Sequence, residues 1–139
     1  MLELNLYQPI KRIRMEKNYL ALENISSYKK SFDLSNEIWR IVIKWDYFAK
    51  DTVGKQFVRA ADSISANIAE GFGRYSKKDK IKFYRISLAS LEESCDWLRK
   101  SSIRELISEH EKDVILERFT DIKIEIFHLI KFTNEKLKF

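Results

Sequence analysis

The sequence predicts an all-α protein, folded as an antiparallel up-down-up-down four-helix bundle with an N-terminal extension. Only three glycines and one proline occur among the 139 residues, so the chain favours a few long helices over many turns. Apolar residues also recur every three or four positions in four stretches, which is the period of one helix face. Helices joined by short turns pack most simply antiparallel. We expect residues 1–30 to form the extension, with room for one short helix, and residues 31–139 to form the bundle.

The first helix is expected to begin near Ser31 or Asp33, because either side chain can cap a helix N-terminus. A seam of apolar residues then advances by alternating steps of four and three, as in left-handed bundles. Its members are Leu34, Ile38, Ile41, Trp45 and Phe48. Trp39 lies off this seam, so we expect it to contact a second subunit.

The second helix carries the most informative stretch of the chain, which runs from Arg59 to Gly71. Its apolar positions share one face, and its alanines and serines let a neighbouring backbone come close. Gly71 is expected to end the helix by adopting a positive φ. The stretch holds no nucleophile–base pair, no metal-ligand spacing and no phosphate loop. It therefore indicates packing and assembly rather than catalysis.

The third and fourth helices have recognisable starts and faces. Ser76 and Ser108 each stand three positions before an acidic residue, which predicts a capped N-terminus for both helices. Ser87, Ser90 and Ser94 follow one another at helical spacing and predict a shallow groove for a neighbouring helix. The fourth helix is apolar over more than one face, and such a helix needs two partners. This surplus predicts a homo-oligomer.

Composition limits the classes of function. The net charge of +5 permits nucleic-acid binding without requiring it. Cys95 stands alone, so no internal disulfide forms, and no stretch approaches the ~20 apolar residues that span a bilayer. Without a secretory signal, we expect a cytoplasmic protein with no membrane contact. His110 and His128 have no ligands at metal-site spacing, so we expect no metal. We also expect no cofactor, no small-molecule substrate and no enzymatic activity.

A basic cluster marks the start of the third helix. Between Phe72 and Arg85, six cations stand against Asp79 alone: Arg74, Lys77, Lys78, Lys80, Lys82 and Arg85. Lys77 and Lys78 occupy the first turn, where the helix dipole disfavours cations. Phe72 and Tyr75 flank the cluster and can stack on bases. We interpret Arg74, Lys77, Lys78, Lys82 and Arg85 as a nucleic-acid-binding patch, to which Lys11, Arg12 and Arg14 of the extension contribute.

The alternative interpretation of this cluster is a solvated helix start with both aromatic rings packed inward. In that case the basic charge is incidental and the protein is an interaction scaffold. A salt-dependent affinity for RNA separates the two, because phosphate contacts release counterions.

A second group of polar residues lies on the second and third helices: Arg59, Asn67, Glu70, Glu92 and Glu93. Adjacent glutamates on a helix point about 100° apart and have no nucleophile beside them here, which disfavours acid–base catalysis. We interpret the group as a structural network. Antiparallel pairing brings residue 59 level with residues near 88–92, so we expect Arg59 to pair with Glu92 or Glu93.

Five motifs carry a resemblance to a known family: Phe32-Asp-Leu34, the stretch from Arg59 to Gly71, Gly73-Arg74, Phe83-Tyr84 and Ser90-Leu-Glu-Glu93. They resemble four-helix-bundle proteins encoded within intervening sequences of bacterial 23S ribosomal RNA genes. Relatives often have proline where this chain has Ala49. The resemblance implies a homopentamer and kinship with the accessory variability protein of diversity-generating retroelements. That relative works with a reverse transcriptase and nucleic acid, so the implied partner is RNA or a nucleic-acid enzyme.

Overall fold

All regular elements are helical in the computed structural model, which describes residues 21–138. The four long helices are α1 (Ser26–Val42), α2 (Lys55–Phe72), α3 (Lys77–Ile103) and α4 (Glu109–Lys136). A 3₁₀ turn, Leu22–Asn24, precedes α1, while a single helical turn, Tyr47–Ala49, and a π-helical segment, Lys50–Gly54, lead into α2. The predicted all-α four-helix bundle is confirmed for this part of the chain.

Helices α2 and α3 pack antiparallel through small polar residues. The Ser87 hydroxyl donates to the Ile64 carbonyl at 2.7 Å, and the Ser90 hydroxyl donates to the Ser63 hydroxyl at 2.9 Å. Residues early in α2 therefore contact residues late in α3, as antiparallel packing requires. Ser87 and Ser94 are fully buried, which confirms that the predicted serine groove accepts a neighbouring helix.

Helix α4 closes the bundle by packing against both α3 and α1. Its contacts with α1 include ion pairs on the surface: Lys30 donates to Asp121 at 2.7 Å, and Arg118 pairs with Glu37. Such exposed pairs contribute roughly 0–1 kcal/mol each to stability. The apolar interior therefore supplies most of the stability, and the pairs help to set the register.

The interior is built from the apolar stripes that the sequence predicts for the long helices. Phe57, Ile64 and Ile68 of α2 belong to the same buried apolar cluster as Tyr84 of α3. The remaining large buried side chains are Leu34, Ile38, Leu91, Leu98, Phe119, Ile122 and Ile126. Ser76 and Ser108 cap α3 and α4, and Ser108 forms a full capping box with Glu111. None of the described helices combines the length and apolar character that crossing a membrane requires.

The predicted limits of the first helix are wrong at both ends. Helix α1 begins at Ser26, and Ser31 lies inside it, where its hydroxyl donates to the Ser27 carbonyl at 2.7 Å. The helix also ends at Val42, although Trp45, the next member of the predicted seam, still packs against the core. Phe48 stands beyond that end in the connecting turn, and 76% of its surface is exposed. Its helical spacing carries no packing information because the helix no longer continues.

The predicted role of Gly71 is also wrong. No glycine in the described residues has a positive φ, and Gly71 lies within α2. Its function is close approach: a Cβ at this position would stand 2.7 Å from Cε1 of Tyr84 and 3.0 Å from the Lys80 carbonyl oxygen. The absent side chain therefore lets α2 and the buried Tyr84 ring pack together.

Candidate nucleic-acid interface

The basic cluster lies at the end of the bundle where α2 ends and α3 begins. Antiparallel packing brings the first turn of α3 beside the C-terminal ends of both α2 and α4. Helix C-termini carry unpaired carbonyls and partial negative charge, which favour nearby cations. The environment of the cluster is therefore set by the two neighbouring helices as well as by α3 itself.

Lys77 and Lys80 are bound to those C-termini. The Lys77 ammonium donates to the carbonyls of Asn134 and Leu137, at 3.2 and 3.4 Å. The Lys80 ammonium donates to the Phe72 carbonyl at 2.7 Å and lies 5.5 Å from the centre of the Phe72 ring. Burial lowers the pKa of Lys80. The two lysines therefore act as ties between helices. Because its ammonium is already engaged, Lys77 is not counted among the unengaged cations of the predicted patch, and its predicted role in nucleic-acid binding stays a prediction.

Arg74 is engaged as well. Its guanidinium donates to Glu70 at 2.6 Å and stacks 4.5 Å from the centre of the Phe83 ring. Both members of the pair are about half exposed, so the pair is weak. Arg74 therefore remains within reach of an anion, but Glu70 offsets its charge.

The remaining three cations of the cluster have no carboxylate partner among the described residues. Lys78, Lys82 and Arg85 are exposed and follow one another by four and three positions, so they share one face of α3. The face spans roughly 10 Å along the helix axis. Tyr75, which is 84% exposed, stands just before it. We call Lys78, Lys82 and Arg85 the basic face.

The predicted contribution of Lys11, Arg12 and Arg14 lies outside the described residues, so it stays a prediction. The half-buried Phe72 ring is covered by Lys80. Of the two aromatic residues singled out for base stacking, only Tyr75 therefore presents most of its surface.

The predicted pairing of Arg59 is wrong. Arg59 is exposed and forms no ion pair with any described residue. The register is close to the expected one, but the phase differs: Glu92 points towards α4 and accepts from Lys123 at 2.6 Å. Glu93 accepts from the Trp97 indole at 3.1 Å. This hydrogen bond lies within α3, so neither glutamate links α2 to α3.

A smaller network links α2 to α3 in its place. The Asn67 amide donates to both the carbonyl and the hydroxyl of Ser63, each at 2.8 Å. Ser63 in turn accepts from Ser90 across the helix interface. Of the five residues predicted to form a network, Asn67 is joined to the α2–α3 interface through Ser63, and Glu70 is joined to it through Arg74, which stacks on Phe83.

Two of the long helices, α1 and α4, keep an exposed apolar face. Phe32, Trp39 and Ile43 advance along α1 by seven and four positions and are each about half exposed. Ile124 and Phe127 on α4 are exposed to the same degree. Trp39, Ile124 and Phe127 are among the residues that the sequence predicts to contact a second subunit, whereas Ile130, another of them, is buried within the bundle. Large exposed apolar patches mark interaction sites.

The described residues offer no arrangement that suits a metal. Among residues 21–138, no three side chains of His, Cys, Asp or Glu lie together in a possible metal site. Burial raises the pKa of the Cys95 thiol, which keeps it protonated and unreactive.

Comparisons with known proteins agree with this architecture. Residues 23–128 match the model of the family described as 23S rRNA-intervening sequence protein. A similar solved structure is that of a protein of unknown function from the S23 ribosomal protein family of Bacteroides thetaiotaomicron. It has 25% sequence identity and a TM-score of 0.68, and the match covers 76% of this chain and 98% of that one. Among curated proteins, no match was found. With most of its length covered by the family model, the chain belongs to the 23S rRNA-intervening sequence protein family.

Proposed function

We propose that this protein is a non-enzymatic, oligomeric RNA-binding protein and that its basic face contacts phosphates. The proposal rests on one observation: three cations of the cluster are engaged by other groups of the protein, and three have no carboxylate partner in the described residues. Lys77 and Lys80 are held by carbonyls and Arg74 by Glu70, whereas Lys78, Lys82 and Arg85 share a face with no carboxylate partner in the described residues. Unpaired cations on one face release counterions when phosphates neutralise them, and this release drives binding.

Structured RNA is the natural ligand to test, because the family is described by its link to 23S rRNA intervening sequences. Three cations give only a few phosphate contacts, so one subunit binds weakly. Several faces that engage one RNA together raise the overall affinity without any new type of contact.

The exposed apolar faces support an assembly that would present several basic faces. The face on α1 and the face on α4 are different surfaces, so their association would be heterologous, and it would form a ring if the rotation between subunits closes. Five subunits are favoured by the family resemblance. Such a ring would place the basic faces of all its subunits on the same side.

A fluorescence anisotropy titration with a labelled, structured RNA tests the proposal. We expect Lys78→Ala/Lys82→Ala/Arg85→Ala to weaken binding and to lower the salt slope by up to about 2–3 for each engaged subunit. The matched control is Lys29→Ala/Arg59→Ala/Lys131→Ala, which removes the same charges from exposed positions without ion pairs in the described residues. Equal effects of the two triple variants would contradict the proposal.

The second candidate function is a protein-interaction scaffold, and the exposed apolar faces on α1 and α4 favour it. In that case the parent protein shows no RNA affinity even at low salt. If the protein assembles but shows no RNA affinity, the result supports the scaffold function and contradicts RNA binding.

A further inference from the structure

A pocket of about 220 Å³ lies beside the start of α1, against the C-terminal half of α4. Its apolar lining is formed by Ile25, Leu129 and Phe132. Ile25 and Leu129 are buried, whereas Phe132 is 48% exposed. The pocket is smaller than the usual small-molecule site of about 300–1,000 Å³, so a few side chains of a peptide are enough to fill it.

Ser27 brings a buried hydroxyl without a partner to this pocket. The residue lines the pocket and is 1% exposed, yet its Oγ forms no hydrogen bond with any described residue. No other buried side-chain oxygen or nitrogen in residues 21–138 is left in this state. Helix α1 also begins without a side-chain cap, so its first N–H groups have no such acceptor. Buried hydroxyls are normally hydrogen-bonded, and a backbone carbonyl from a covering segment would supply the missing acceptor.

The acidic wall of the pocket is neutralised only in part. The Lys30 ammonium donates to Asp121 at 2.7 Å and lies 3.7 Å from Glu125, so one lysine serves two carboxylates. Glu125 lines the pocket and is partly buried, and Ser26 and His128 complete the lining. The pocket therefore favours an occupant that combines apolar side chains, a cation and a backbone carbonyl.

The segment of residues 1–20 has matching chemistry. It contains Ile10 and Ile13, and between residues 11 and 17 four cations stand against Glu16 alone. Its backbone carbonyls are acceptors of the kind that the buried hydroxyl lacks. One segment therefore offers all three features.

The same segment is attached beside the pocket. It joins Ala21, which lies only four positions before Ile25 of the pocket lining. The eight residues from Ile13 to Ala21 can span up to about 27 Å, which is more than the length of the pocket along α4. A tether this short also raises the local concentration of the segment to the millimolar range.

We propose that the segment of residues 1–20 docks into this pocket of its own subunit. Its isoleucines cover Leu129 and Phe132, one of its cations pairs with Glu125, and a backbone carbonyl accepts from Ser27. The contact holds the extension at the end of the bundle that carries the basic cluster. It does not depend on the proposed RNA binding.

The reactivity of an added thiol tests the docking in the full chain. His128→Cys places a thiol in the pocket lining, and Lys131→Cys places one at an exposed position of α4 outside it. We expect dithionitrobenzoate to label position 128 about fivefold more slowly than on an Ile10→Asp/Ile13→Asp background, as a segment docked about 80% of the time gives. Position 131 should react at the same rate on both backgrounds. Cys95 is buried and adds the same slow background to every variant.

Carbodiimide cross-linking identifies the chain that supplies the segment. Arg12→Lys/Arg14→Lys keeps the charge and makes all four cations of the segment lysines, so any of them can link to Glu125. We expect this link in the band of a single 16.6 kDa chain on denaturing electrophoresis. Equal labelling of position 128 on both backgrounds, or absence of the link, would overturn the proposal. A link found only in the band of twice that mass would also overturn it, because the segment would then come from a second copy.

Discussion

Replacement of Gly71 by alanine tests the packing between α2 and α3 most sharply. The new Cβ would stand 2.7 and 2.9 Å from two carbons of the Tyr84 ring and 3.0 Å from the Lys80 carbonyl oxygen. Tyr84 is almost completely buried and cannot swing into solvent, while the carbonyl belongs to the backbone of α3. The two helices must therefore move apart to accept a single methyl group.

Two opposing terms set the size of the effect. Overpacking of a well-filled interior costs about 1–3 kcal/mol, and alanine inside a helix regains about 0.5–1 kcal/mol relative to glycine. We therefore expect Gly71→Ala to lower the free energy of unfolding by about 1–2 kcal/mol. Guanidinium unfolding followed by circular dichroism, at a fixed protein concentration, measures this change.

Gly73 offers a matched control two residues further along. Its φ of −76° suits any residue, and the nearest atom to an added Cβ is 3.5 Å away. Gly73→Ala should therefore be neutral or stabilise by about 0.4–1 kcal/mol. The cost of Gly71→Ala should also shrink on a Tyr84→Leu background, where the ring is absent. If Gly71→Ala is as stable as the parent, the close-approach argument fails.

The remaining predictions concern alkaline stability, a strained cap and assembly. Burial raises the pKa of Tyr84 to about 12 from its ordinary 10.0. Its neutral form therefore supports folding below pH 10, and this stability is lost as the pH rises through 12; Tyr84→Phe should lose less between pH 10 and 12 in unfolding measurements. Glu105 adopts a positive φ of 60° just after the end of α3. Glycine has no penalty at such a φ, so Glu105→Gly should raise the free energy of unfolding by about 1 kcal/mol, whereas Glu105→Ala should not. Light scattering should give a mass several times 16.6 kDa for the parent protein and a lower mass for Trp39→Glu or Phe127→Glu. Ile103→Glu, at another exposed apolar position, is the control and should keep the parent's mass. A parent protein that is monomeric at micromolar concentration would refute the assembly.

The long helices could be predicted from sequence because their apolar period extends over many turns. The start of α1 could not, since the residue before it, Ile25, provides no side-chain cap, while Ser31 inside the helix has the chemistry of one. Gly71 carries a similar ambiguity. A glycine near a helix end suits both a positive φ and a close approach, and only the position of Tyr84 decides between them.

The basic cluster shows why the site could be predicted only in part. Its position and charge could be predicted from the sequence, and so could its location at the N-terminus of α3, where the helix dipole disfavours cations. The C-termini of α2 and α4, which hold Lys80 and Lys77, reach the cluster only through tertiary packing. The pocket beside the start of α1 could not be predicted at all, because it joins two distant segments of the chain and contains no motif.

Salt-dependent RNA binding by two double variants tests most directly whether RNA contacts the basic face rather than Lys77 and Lys80. Lys78→Ala/Lys82→Ala and Lys77→Ala/Lys80→Ala remove the same two charges from the same short stretch of α3. We expect the first variant to lower the salt slope by up to about 2 for each engaged subunit and to keep the parent's stability. We expect the second to keep the slope and to lose about 1 kcal/mol of stability, because two helix C-termini lose their cations. Equal slopes in the two variants, or a larger loss of slope in the second, would contradict the assignment of RNA binding to the basic face.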